Sequence, residues 1–315
     1  MLPLPSPSPC RDGGGAGRSL AAAPSPLAPR PPRPPCPSLP SGSETPHVRT
    51  RLLVVLPAGR HLRPYRPRLR SRARARPRRG EQCRRHVRIL DGLAARHTVV
   101  GVDYPGSGHT PRSAVPLSLD DLADQLVAAA VAEGLDTFAV SGYSLGGPVA
   151  VRAAVRHPER VTALVLTATF AHHDQRLALA LPIWRELAGS GDRDLLARFL
   201  TMMAVGADAL EAMPAEQLRQ AVGFTAAGIA EGTPEHAELA SRIDVRDDLA
   251  RVAAPTLVIS TTQDWFTSTR LHRALADGIP GARLAELRTG HLPMVERPAE
   301  WQALITEFLA GHGDR

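Results

Sequence analysis

Ser144 stands in Gly142-Tyr143-Ser144-Leu145-Gly146-Gly147, after the apolar run Phe138–Val140 and before a small-residue stretch starting at Pro148. Strand, sharp turn and helix in that order would lift a serine hydroxyl to the apex of a strained turn. Side chains at 142 and 146 are expected to collide with the neighbouring strand and helix, which explains the glycines. A serine attacks carbonyl carbon only when a base takes its proton and a third group holds that base. His291, in Arg288-Thr289-Gly290-His291, follows the last apolar run of the chain and is the expected base. Asp264, in Ser260-Thr261-Thr262-Gln263-Asp264-Trp265, ends the run before it and is the expected orienting acid. Serine, aspartate and histidine in that chain order, each just past a strand, suit acyl transfer. The Leu145 N–H, at the head of a helix with its positive dipole end, is the natural donor to an oxyanion.

Other candidates are weaker. His109 lies in a glycine-rich loop, and His172-His173-Asp174 lacks the ligand spacing of a metal site. Asp103, before Pro105-Gly106, reads as a turn-forming carboxylate. No metal and no cofactor is expected.

The elements that must position these residues are regular from about residue 86. A helix is predicted over 87–96, a buried strand over 97–103, and a helix over 118–133 whose N-cap is Ser118, with Asp120 and Asp121 in its first turn. The strand 137–141, the helix after Ser144, and a strand over 161–168 follow. Residues 170–245 interrupt the alternation with helical segments, then strand 256–260, helix 270–277, strand 283–287 and helix 298–310 close the chain. Alternation of this kind implies an α/β fold, a mostly parallel sheet with helices on both faces. Residues 86–169 and 246–315 would form its core and 170–245 a helical cap. Trp184, Phe199, Met202, Met203, Met213 and Phe224 either fill the cap's own interior or face a pocket beneath it. Phe199 and Met202, with Tyr143 and Trp265, are the expected pocket residues.

The N-terminal part differs. Residues 1–90 hold 19 arginines against Asp12, Glu44 and Glu81, whereas the remainder is mildly acidic; the chain has no lysine and a net charge of +7. Residues 1–46 are Pro/Ser/Gly-rich and too poor in apolar side chains to order themselves. Residues 48–56 read as a buried strand within an Arg-rich segment, 47–85. That segment reads as a nucleic-acid-binding arm, a solvated linker, or GC-rich coding sequence in the wrong frame. With Tyr65 alone between Arg60 and Arg85, there is little to stack on bases, and nucleic acid is not the expected partner. Three cysteines, Cys10, Cys36 and Cys83, define no disulfide framework. No 18-residue apolar run or signal-peptide pattern is present, so the expectation is a cytoplasmic protein without membrane partners, acting on a small molecule.

From about 86 to 311 the chain resembles the α/β-hydrolase superfamily, in its esterase/lactonase/haloperoxidase-like branch with a helical cap. Asp103-Tyr104-Pro105-Gly106-Ser107-Gly108, the Gly142–Gly147 stretch, Pro255–Ile259 followed by Asp264, and Gly290-His291 followed by Glu296-Arg297-Pro298 carry the resemblance. It implies a serine hydrolase working through an acyl-enzyme on a small, fairly apolar ester, lactone or thioester. Members with other roles, perhydrolase-like, lyase or ligand receptor, share the same motifs. The family places a second oxyanion donor in a loop after its first core strand. Here that loop reads Pro57-Ala58-Gly59-Arg60; Pro57 has no N–H, which leaves Gly59 or Ala58. An oxyanion hole short of one donor would give a folded but slow enzyme.

Overall fold

Six parallel strands, β1 (Arg51–Val55), β2 (Thr98–Gly101), β3 (Phe138–Tyr143), β4 (Val161–Thr167), β5 (Thr256–Thr261) and β6 (Arg283–Leu287), form one sheet in the order β2-β1-β3-β4-β5-β6. The computed structural model describes residue 93, residues 97–108 and 110–312, and the backbone of 51–55. The expected helix over 87–96 is described only at Leu93, and the segments 1–46 and 57–85, with Gly59, and also His109 lie outside the described residues.

Alternation along the strands explains the two layers. Phe138 and Val140 of β3, Leu164 and Leu166 of β4 and Val258 of β5 face one apolar cluster. It is completed by Leu122 and Leu126 of α1 (Leu119–Ala132) and Val149 and Ala153 of α2 (Gly146–Arg156). Ala139, Ala163, Val165, Leu257 and Ile259 face the opposite side, against Trp301, Ile305 and Phe308 of the C-terminal helix Pro298–Ala310. Strands buried on both faces read as continuous apolar runs because both sets of side chains leave water. The N-cap of α1 is as expected: Ser118 accepts from the Asp121 N–H. Ile305 is fully buried, so Ile305→Val is expected to cost about 1 kcal/mol, read as a lower urea midpoint with unchanged slope.

Between β4 and β5 the chain leaves the sheet and builds helices: α3 (Gln175–Ser190), α4 (Arg193–Ala204), α5 (Ala207–Glu211), α6 (Ala215–Gly228), α7 (Thr233–Arg242) and α8 (Arg246–Leu249). Helix α3 packs on α7 and α4 on α6. Asp174 caps α3 by accepting from the Leu177 N–H, which is its role here. Several contacts tie this insertion to the rest, among them the following. His236 of α7 meets the Pro105 carbonyl at 2.9 Å, the His291 N–H donates to the Ala204 carbonyl at 2.7 Å, and Glu296 accepts from the Gly206 N–H at 3.1 Å. After β5 come α9 (Thr269–Gly278), β6, a short helix α10 (Pro293–Glu296) and the C-terminal helix, α11. Among the described residues no helix is long and apolar enough to cross a membrane.

The strand order sets where a ligand can sit. The chain runs from β1 to β2 on one side and returns to β3 on the other, so the connections diverge between β1 and β3. In open parallel sheets the crevice at such a divergence, beyond the strands' carboxyl ends, is the binding site. Ser144 is the first residue past β3.

Candidate active site

Ser144 has φ of 50°, left-handed backbone that a non-glycine residue adopts at a cost of roughly 1 kcal/mol or more. The surroundings hold it there. Its N–H donates to the Thr167 carbonyl at 3.1 Å, and its carbonyl accepts from the Gly147 N–H at 2.9 Å and from Thr169 Oγ1 at 2.6 Å. The glycines on either side are steric requirements of this turn. A Cβ on Gly142 would lie 2.5 Å from the Gly146 carbonyl oxygen and 2.8 Å from Ala150 Cβ, so the crowding comes from helix α2. A Cβ on Gly147 would lie 2.0 Å from Thr169 Oγ1, the group that anchors the Ser144 carbonyl. Gly147→Ala is therefore expected to cost about 1–3 kcal/mol as an overpacked site. Thermal unfolding measures that cost, and a Thr169→Ala background should recover part of it.

His291 lies between β6 and α10. Its Nε2 is 2.8 Å from Ser144 Oγ and its Nδ1 is 2.7 Å from Asp264 Oδ2. The imidazole is held by two rings, Tyr143 and Phe266, each with its centroid 5.1 Å away. Burial pushes the Tyr143 phenol well above its ordinary range, with the charges of Asp264 and Glu296 adding to it, so it stays protonated.

Asp264 follows β5 with its carboxylate shut off from solvent. Oδ1 accepts from the N–H groups of Phe266 (2.8 Å) and Thr267 (2.9 Å). Oδ2 accepts from Thr261 Oγ1 (2.9 Å), Thr267 Oγ1 (2.8 Å) and His291 Nδ1. Burial acts to raise its pKa, but the His291 charge and the hydrogen bonds outweigh it and the carboxyl is held below its usual range. Charge-assisted bonds of this number keep the group ionised.

The four expected pocket residues are placed differently from one another. Tyr143 touches the His291 ring, and Phe199 meets Phe266 edge-on, with centroids 6.5 Å apart. Met202 and Trp265 are about half exposed. Trp265 lines a surface cleft with Asp174, Arg176 and Ser268, and its neighbour Phe266 turns inward to His291. The outward turn of Trp265 has a physical reason: the Asp264 carboxylate binds the N–H groups of 266 and 267, and that tight turn points residue 265 outward. Trp184 joins the inner aromatic group at 5.5 Å from Phe266.

Asp103 packs beneath Gly108, where a Cβ would lie 2.0 Å from its Oδ2, in keeping with a turn-forming role. His172 faces Asp244 in an isolated β-bridge. Among the described residues no group of three His, Cys, Asp or Glu side chains is placed to hold a metal.

A serine on a left-handed turn at the divergence of a parallel sheet, with an imidazole reaching it from past the last strand, marks an α/β enzyme. A sequence model described as the alpha/beta hydrolase fold matches residues 79–298, and the chain belongs to that family and is an α/β-hydrolase enzyme. It is 31% identical over 223 residues to the pyrrolizixenacetamide deacetylase of Xenorhabdus hominickii, covering 70% of this chain and 84% of that protein. It is 30% identical over 243 residues to the pimeloyl-(acyl-carrier protein) methyl ester esterase of Neisseria meningitidis serogroup A, covering 74% and 75%. Among solved structures, the enol-lactonase of Burkholderia xenovorans LB400 superposes with a TM-score of 0.68 at 21% identity, over 84% of this chain and 94% of that one.

Proposed function

We propose that this chain hydrolyses a small, fairly apolar ester, lactone or thioester through an acyl-enzyme on Ser144. The observation that carries it is the unbroken line of hydroxyl, imidazole and carboxylate, 2.8 and 2.7 Å apart, with the hydroxyl raised on a left-handed turn. As Ser144 Oγ bonds the substrate's carbonyl carbon, its proton passes to His291 Nε2. Asp264 holds the ring with Nδ1–H toward itself, leaving Nε2 free to accept, and balances the imidazolium. His291 then gives the proton to the leaving group; water repeats the sequence on the acyl-enzyme and frees Ser144. The Leu145 N–H, at the head of α2, supplies one oxyanion donor. The second falls to Ala58 or Gly59. The rings of Tyr143, Phe266, Phe199 and Trp184 favour an apolar acyl group. The similar proteins include a deacetylase, an esterase and an enol-lactonase, which all move an acyl group to water. The cap role of 170–245, and soluble cytoplasmic action on a small molecule, belong to the same proposal.

A fluorophosphonate probe tests it. Ser144 Oγ should displace fluoride and become labelled in the full-length protein, and Ser144→Ala should not be labelled. Equal labelling of both proteins would sink the assignment.

A further inference from the structure

We infer that His272 is a positioning residue for the proposed catalytic carboxylate: it locks the Thr267 hydroxyl so that its proton points at Asp264. The inference rests on the reading of Ser144, His291 and Asp264 given above.

His272 sits on α9 between Leu271 and Leu275 and has no solvent exposure. An imidazole in such a place is tolerated only if both nitrogens find partners. They do. Nδ1 lies 3.1 Å from Ser260 Oγ and Nε2 lies 3.0 Å from Thr267 Oγ1. The direction of each proton follows from the far end. An ionised carboxylate only accepts, so the Thr267 hydroxyl donates to Asp264 Oδ2 across their 2.8 Å contact. Having spent its one proton, that oxygen can only accept from His272, which must carry its hydrogen on Nε2. Nδ1 is then an acceptor, and the Ser260 hydroxyl donates to it. The line Ser260, His272, Thr267, Asp264 has one consistent sense from end to end.

The consequence is local and electrostatic. Were the hydroxyl of Thr267 free to turn, Asp264 Oδ2 would keep two side-chain donors instead of three, and its charge would bear harder on His291. Burial pushes the His272 imidazolium down to about 4, so near neutral pH the ring orients a donor without adding a second positive charge beside Asp264. The other ionisable groups acting on this network are Tyr143 from β3 and Glu296 from α10, the latter itself under Arg297. Both are unchanged by the substitutions below.

The test is the hydrolysis of p-nitrophenyl acetate against pH by His272→Phe, His272→Gln, Thr267→Val and Ser144→Ala, with the folded fraction of each measured by denaturation. Deleting the hydrogen bond from Thr267 to the carboxylate should lower kcat about tenfold in Thr267→Val, and freeing that hydroxyl to turn should lower it several-fold in His272→Phe, with KM nearly unchanged in both. The acid limb of the profile should move to higher pH in both, since the carboxylate holds the imidazolium more tightly. The Gln amide can place an N–H where Nε2 lies, so His272→Gln should recover most of the rate and return the limb. An unmoved limb, with losses that track the folded fraction, or a Gln variant no better than Phe, would make His272 a packing residue and overturn the inference. Thr267→Val, nearly isosteric, decides the matter should His272→Phe fail to fold. Full activity in Ser144→Ala overturns the reading beneath it, a failure that leaves a different trace from the other two.

Discussion

Asp264→Asn is expected to fold but to turn over about 10³–10⁴ times more slowly than the native chain. The carboxylate has five donors around two oxygens, and an amide cannot satisfy them. With its NH₂ at the Oδ2 position it faces two hydroxyls and the His291 Nδ1–H. Flipped, it faces the N–H groups of Phe266 and Thr267. In the first orientation His291 is pressed toward the tautomer with its proton on Nε2, the nitrogen that has to accept from Ser144; in the second the ring keeps its tautomer, but two backbone N–H groups meet a donor. The buried mismatch costs stability as well, about 1–3 kcal/mol. Turnover of p-nitrophenyl acetate, corrected for the folded fraction, separates the two effects. A loss below tenfold would mean that Asp264 does not orient the base.

The second large effect is on stability. The folded chain keeps His272 neutral down to about pH 4, whereas an unfolded histidine titrates near 6.5. Between those values the unfolded chain binds a proton that the folded chain refuses, so stability falls as pH falls. At 1.36 kcal/mol per unit over that interval the loss is about 3 kcal/mol, complete near pH 4 and absent above 6.5. Against a usual total of roughly 5–15 kcal/mol this is a large share. Asp264 acts in a lower window: its depressed carboxyl keeps its stabilising charge until the pH drops below the ordinary aspartate range. His236, which burial also pushes down, adds a like-signed slope of its own. Urea midpoints from pH 7 to 4.5 should therefore decline in the native chain and decline less in His272→Phe. Equal slopes would show that His272 is protonated in the fold.

The sheet and the line from Ser144 to Asp264 were legible because each residue ends an apolar run, and a run's end is visible without coordinates. The insertion was legible as a break in alternation. Phe266 was not: which of two adjacent aromatic residues turns inward depends on the Asp264 carboxylate gathering N–H groups, a matter of turn geometry. His272 carries no local signal at all. A lone histidine on an amphipathic helix looks like a surface residue, and only the approach of α9 to β5 gives it Ser260 and Thr267 as partners. The Glu296 carboxylate, visible as part of Glu296-Arg297-Pro298, binds the N–H groups of Gly206 and Gly290, 90 and six residues away in sequence. The first of those separations is beyond any periodicity argument.

Ser144 and Ala168 are the two non-glycine residues with positive φ among the described residues. A glycine at 144 would adopt that backbone without strain. The most economical sequence for this fold thus omits the hydroxyl that faces His291, and selection for robustness alone would drift toward that sequence. Stabilised versions of this protein, whether bred or computed, should be watched at position 144 first, because there a gain in melting temperature and a silent enzyme are the same substitution.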